Sequence, residues 1–124
     1  MENTNGLIAP PDFWELSKSE IDSLYFGCGP GKVGDWLVPD HFFGIDVKLA
    51  CQIHDFDYDF GVTEEDRIEA DCRFLHNLYI LIEEKNYPIF EPFCYHRAHL
   101  YYEAVRVFGE KAFYAYKDNN LTTC

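Results

Sequence analysis

Basic residues are scarce in this 124-residue chain: 10 Lys and Arg stand against 22 Asp and Glu, a formal net charge of −12 at pH 7. A surface of that sign repels phosphate backbones, which argues against nucleic acid as a partner. Long apolar runs are also missing. No stretch approaches the roughly 18 residues that a membrane-spanning helix needs, so no transmembrane segment is expected. The opening Met-Glu-Asn-Thr-Asn-Gly has neither the basic nor the long apolar stretch of a secretion signal, and no signal peptide is expected. β-branched runs are few, and no internal repeat or low-complexity tract is present. The five cysteines, Cys28, Cys51, Cys72, Cys94 and Cys124, are an odd number, too few for a disulfide scaffold and too irregular for a zinc ribbon. An all-thiol protein and one with one or two bridges both fit.

What the chain does have is apolar and aromatic mass. At 48% hydrophobic and 18% aromatic, with rings spread from Phe13 to Tyr116, it can bury one core but hardly two, so residues 1–124 are read as a single domain. Its acidity suits calcium, a hard cation that takes carboxylate and carbonyl oxygens. Nor does acidity exclude a lipid interface, where apolar and aromatic side chains can do the binding.

Pro10-Pro11 closes an extended lead-in, and Asp12 is placed to cap a helix running to Leu24. Tyr25-Phe26-Gly27-Cys28-Gly29-Pro30-Gly31 is a loop whose carbonyls are free to act as ligands. The segment 32–44, rich in Trp, Leu, Val and Phe, reads as an ordered apolar loop. Asp46 is the expected cap of a second helix to about Asp59, with Gly61 as its stop. Thr63-Glu64-Glu65-Asp66 resembles a capping box opening a long helix to about Lys85, with the stripe Ile68, Asp71, Cys72, Leu75, Leu78 and Ile82. Pro88 and Pro92 break the chain before a last helix to about Tyr116, in which Leu100, Ala104, Phe108 and Ala112 recur every four residues. The expected fold is all-α: three to four helices around one core, two central helices antiparallel, and a Gly-rich calcium loop.

The sharpest local feature is Ala-Cys-Gln-Ile-His54-Asp55-Phe-Asp-Tyr58 on the second helix. At 3.6 residues per turn Cys51, His54 and Tyr58 share a face, and Asp55 is turned about 100° from His54. One helix can thus offer a base to one wall and a carboxylate to a neighbouring metal. Histidine is the usual general base near neutral pH and works best when a carboxylate holds its other ring nitrogen. Asp71, in an apolar stripe where an unpaired charge would be costly, is the candidate for that carboxylate, with His54 or Tyr58 as its partner. A His-Asp pair, a glycine turn or an inward cysteine alone is ordinarily structural; their joint occurrence carries the weight.

Glycine loop, His-Asp-x-x-Tyr helix and Ala-Asp-x-x-Phe helix, in that order over residues 25 to 75, resemble the phospholipase A2 superfamily, most closely its prokaryotic and viral branches. The resemblance implies a calcium-dependent (Ca2+) hydrolase acting on the sn-2 ester of a glycerophospholipid at a membrane or micelle interface. It implies that His54 takes a proton from the attacking water, that Asp71 and Tyr58 orient it, and that Asp55 with the carbonyls of Tyr25, Gly27 and Gly29 holds the ion. The glycines admit a second register, with Gly29-Pro30-Gly31 in the viral Gly-Pro-Gly role. Cys28 and Cys51 are placed to tether loop to helix. Two rivals remain. One is a His-Asp type metal phosphohydrolase using His41, His54, Asp55, His76, His96 and His99; the other is a catalytically silent phospholipase-like binding module.

Overall fold

The computed structural model describes residues 1–25 and 39–123, with side chains as far as Tyr114. Within them the protein is mainly helical: α1 (Pro11–Trp14), α2 (Lys18–Leu24), α3 (Lys48–Phe60), α4 (Glu64–Lys85) and α5 (Glu91–Thr123). A two-stranded antiparallel hairpin, β1 (His41–Phe42) and β2 (Ile45–Asp46), precedes α3. No described helix is long and apolar enough to cross a membrane. The Gly27 and Gly29 loop and Trp36, Leu37 and Val38 lie outside the described residues.

Local chemistry sets each boundary, and some expectations are corrected by it. The single helix expected from Asp12 to Leu24 is two. Pro11 occupies the first position of α1, where its missing N–H costs nothing. Ser17 then breaks the chain and opens α2: its Oγ accepts from the Glu20 amide at 3.2 Å while Glu20 Oε1 accepts from the Ser17 amide at 2.9 Å. The apolar loop expected up to Gly44 contains the hairpin, whose two-residue turn puts both Phe43 (φ 50°) and Gly44 (φ 77°) in the left-handed region, as the strand twist demands. Phenylalanine is an unusual residue there, which is why no turn signal was legible. Asp46 is a strand residue paired with His41, so α3 starts at Lys48 with Val47 as its cap; the Asp46 carboxylate still accepts from the Lys48 amide at 2.9 Å.

Gly61 ends α3, and the Thr63/Asp66 capping box opens α4 as expected. Asn86, left-handed at φ 54°, closes α4 at Lys85. α5 begins at Glu91, so Pro92 sits inside its first turn, where no intrahelical N–H bond is lost. The short link at 61–63 turns α4 back along α3. Bonds from Glu64 to Tyr114 and from Asp71 to Arg106 then run α5 back along α4.

The faces that pack are not quite those the spacing suggested. On α4, Ile68 and Cys72 are exposed, and the buried face is Arg67, Ala70, Asp71, Phe74, Asn77, Leu78, Leu81 and Ile82. On α5, Leu100, Phe108 and Ala112 are exposed, while Cys94, Ala98, Tyr101 and Phe113 face inward. The rings in and just before α5 divide: Tyr101 is buried, its hydroxyl donating to the Pro39 carbonyl at 2.6 Å, whereas Tyr87, Phe90 and Phe93 stay exposed, the two phenylalanines beside the ring of Phe43. Cys51 is disulfide-bonded, and Cys72 and Cys94 are free thiols.

Fully buried Asn77 fastens the N-terminal segment to α4. Its Oδ1 accepts from the Ile8 amide at 2.7 Å and its Nδ2 donates to the Ile8 carbonyl at 2.9 Å. Asn77→Ala strands both backbone groups, and a loss of about 2–4 kcal/mol is expected in urea unfolding, with faster proteolysis ahead of α1. Unchanged stability would show that Ile8 finds other partners.

Candidate active site

α3 presents His54 and Tyr58 one turn apart on its inner side, and both reach one carboxylate of α4. His54 Nε2 lies 2.7 Å from Asp71 Oδ1, and the Tyr58 hydroxyl donates to the same oxygen at 2.6 Å. The second oxygen, Oδ2, accepts from Arg106 Nη1 of α5 at 2.6 Å, with Arg67 Nη1 3.7 Å away. Asp71 is fully buried and His54 is 6% exposed, so these are low-dielectric contacts. The His54 ring is held between those of Tyr58 and Phe74, at centroid distances of 4.2 and 4.8 Å.

The protonation pattern follows. Burial pushes the Asp71 carboxyl up, but the hydrogen bonds from His54 and Tyr58, and then that from Arg106, outweigh it and hold the group below the ordinary aspartate range. An ionised carboxylate only accepts, so His54 Nε2 carries the proton and Nδ1 is the basic ring atom. Burial, and then the bond and negative charge of Asp71, raise the Tyr58 phenol, which stays neutral and donates.

An outer layer supports this core. Glu64 receives Arg67 Nε at 3.1 Å and Nη2 at 2.9 Å, and the Tyr114 hydroxyl at 2.6 Å, and Arg106 Nη2 stands 3.6 Å from it. The Arg67 bond first, and then that of Tyr114, lower Glu64 to about 2. Two carboxylates and two guanidinium groups therefore balance. Gly109 lets α5 come close: a Cβ there would lie 2.5 Å from the Tyr58 hydroxyl oxygen. Arg67 was within reach of sequence reasoning, standing four residues before Asp71 on the same helical face. Arg106, Tyr114 and Gly109 carry no local signal, because their roles exist only once α5 packs.

Asp55 is turned away from this network. It is half-buried, accepts no hydrogen bond among the described residues, and is pushed up to about 8 by burial and by the neighbouring charge of Asp59. Tyr25 sits beside the same face, its hydroxyl donating to Asp59 Oδ2 at 2.9 Å and its carbonyl accepting from the buried Gln52 Nε2 at 3.1 Å. α3 thus anchors Tyr25, another role that sequence reasoning missed in Gln52. A carboxylate without a donor next to a second carboxylate is chemically suited to a hard cation. Gly27 and Gly29 lie outside the described residues, and among the described residues no three His, Cys, Asp or Glu side chains converge as a metal site. The other histidines do not gather round His54: His41 is 3.8 Å from Asp46 on the hairpin, and His99 bonds Tyr79.

Because the folded Asp71 carboxyl titrates below its unfolded value of 3.8, its stabilising contribution is complete above that pH and is lost as pH falls through the folded value. Asp71→Asn is expected to cost about 3–5 kcal/mol at pH 7. In urea titrations the gap from wild type narrows below pH 4; a gap that persists undiminished to pH 2 would mean that Asp71 is not ionised in the fold.

Comparison with models of protein families, with curated proteins and with solved structures gives no match to this chain.

Proposed function

We propose that this chain is a calcium-dependent, phospholipase A2-like hydrolase that cleaves the sn-2 ester of glycerophospholipids by activating water. The observation that supports it most directly is the 2.7 Å contact of His54 Nε2 with fully buried Asp71. It leaves Nδ1 as a base of fixed orientation, which general-base catalysis requires. A water bound at Nδ1 gives up its proton there as it attacks the ester carbonyl, and the imidazolium formed is stabilised by Asp71. Tyr58 and Arg106 hold Asp71 in place, so the ring cannot turn with its partner. No serine or cysteine nucleophile is needed, and no acyl-enzyme forms.

Asp55 is the carboxylate that would hold the calcium ion, together with carbonyls of the loop that Tyr25 begins. The bound ion would polarise the ester carbonyl and stabilise the developing oxyanion. The resemblance over residues 25 to 75 supplies the substrate class, and the His54–Asp71–Tyr58 geometry fits it.

Release of the sn-2 fatty acid from mixed phosphatidylcholine micelles tests the proposal. Calcium-dependent release is expected, abolished by chelator and reduced about 10²–10⁴-fold by His54→Gln, with Asp71→Asn also impaired. A folded wild-type protein that releases nothing with calcium present would move the assignment to a binding module.

A further inference from the structure

A second polar site opens where α3 ends against α4. A cleft of about 200 Å³ is lined by Asp57, Phe60 and Gly61 of the α3 end and by Asp66, Glu69, Ala70 and Arg73 of α4. None of the residues bonded to Asp71 lines it. The Asp57 side chain is only 7% exposed; its Oδ1 accepts from Arg73 Nη1 at 2.7 Å, and its Oδ2 is buried with no hydrogen-bond partner. A buried carboxylate oxygen without a donor is costly, and the residue that carries this one lines the cleft.

The surroundings specify that donor. Three carboxylates face a single guanidinium, and one of the three, Asp66, is already committed to the Val62 and Thr63 amides. Glu69 stands at the exposed rim, 3.7 Å from Arg73 Nη2. The C-terminus of a 13-residue helix adds the negative end of its dipole, with no basic residue in its last turn. Phe60 contributes an exposed ring, a surface on which an organic cation gains further attraction. A divalent metal does not suit the cleft, because Arg73 holds Oδ1 and no three ligating side chains converge among the described residues. The volume exceeds the roughly 30 Å³ share of one water molecule several times.

We propose that this cleft binds a primary ammonium group of the ethanolamine type, free or as a lipid headgroup, with Asp57 Oδ2 as the buried acceptor, Glu69 as the rim carboxylate and Phe60 as the aromatic wall. The ammonium supplies the donor that Oδ2 lacks and offsets the excess of negative charge. The proposal stands on binding geometry alone and does not depend on the hydrolase reading.

The test is titration of the isotope-labelled full chain with ethanolamine, followed through backbone amide shifts. Saturable shifts confined to residues 57–73 are expected, weakened about tenfold or more by Asp57→Asn and to a lesser degree by Glu69→Gln, an exposed position whose substitution leaves the fold intact. Choline, which has no N–H to donate, is expected to bind about tenfold more weakly than ethanolamine. His54→Gln is expected to bind as wild type does, which separates this site from the hydrolytic one. Co-sedimentation then distinguishes the sources. Preference for phosphatidylethanolamine-containing over pure phosphatidylcholine vesicles, lost in Asp57→Asn, assigns the headgroup; ethanolamine binding without such preference assigns the free amine. Absence of saturable shifts in the wild type overturns the proposal, as does ethanolamine affinity unchanged in both Asp57→Asn and Glu69→Gln.

Discussion

The organisation of this protein turns on one buried charge. Taking a carboxylate out of water costs several kcal/mol or more, and nothing about helix packing alone would place Asp71 at zero exposure. The cost is offset by donors from two other helices, His54 and Tyr58 of α3 and Arg106 of α5, and by the charge of Arg67 on α4 itself, 3.7 Å away. Such donors must be in place together, because a half-satisfied buried network is worse than an apolar one. The three long helices are therefore held in one relative arrangement by polar geometry as well as by apolar area. Apolar packing tolerates small slides, but a carboxylate with both oxygens engaged within 2.7 Å does not.

The same constraint explains the shape of the contact between α3 and α5. Tyr58 must reach Asp71 with its hydroxyl and still fill the space between the helices. Its ring packs edge-on against Phe113 at 5.1 Å, while Gly109 clears room for its oxygen. Gly61, whose added Cβ would lie 2.8 Å from the Phe113 ring, clears the other end of that contact. Two glycines on different elements thus serve one pair of aromatic rings. That accounts for a glycine in the interior of α5, where it would otherwise weaken the helix.

Much of the central region was legible in the sequence because its signals are local. The Thr63 capping box, the Gly61 stop and the His54/Tyr58 face follow from spacing on single helices, and Asp71 was found because a charge in an apolar stripe needs a partner. What could not be read depends on tertiary packing. Arg106 lies in a helix whose four-residue recurrence of Leu100, Ala104, Phe108 and Ala112 suggested a different inner face. Which face α5 buries is decided by the groove that α3 and α4 leave, not by the sequence of α5. The hairpin was hidden for another reason: Phe43 adopts a left-handed conformation that its residue type disfavours, and its ring is compensated by contact with Phe90 and Phe93. The split at Ser17 is visible as Ser-Lys-Ser-Glu, although Asp12 reads as the cap of one helix to Leu24.

The acidic end of α3 shows how neighbours decide what a residue type does. Asp55, Asp57 and Asp59 crowd the last two turns, where the helix dipole opposes negative charge and no basic residue occupies the final turn. Helix stability alone would not select this arrangement, and local rules broken without local compensation mark places where something other than stability is served. Each aspartate resolves the conflict differently. Asp59 is exposed and takes the Tyr25 hydroxyl. Asp57 has one oxygen on Arg73 and the other buried without a donor. Asp55 has no donor among the described residues and is raised by burial and the charge of Asp59. Asp71, one helix away, has both oxygens engaged and stays ionised. The completed carboxylate fixes the imidazole, whereas Asp57 keeps a buried oxygen with no partner and Asp55 accepts no hydrogen bond among the described residues.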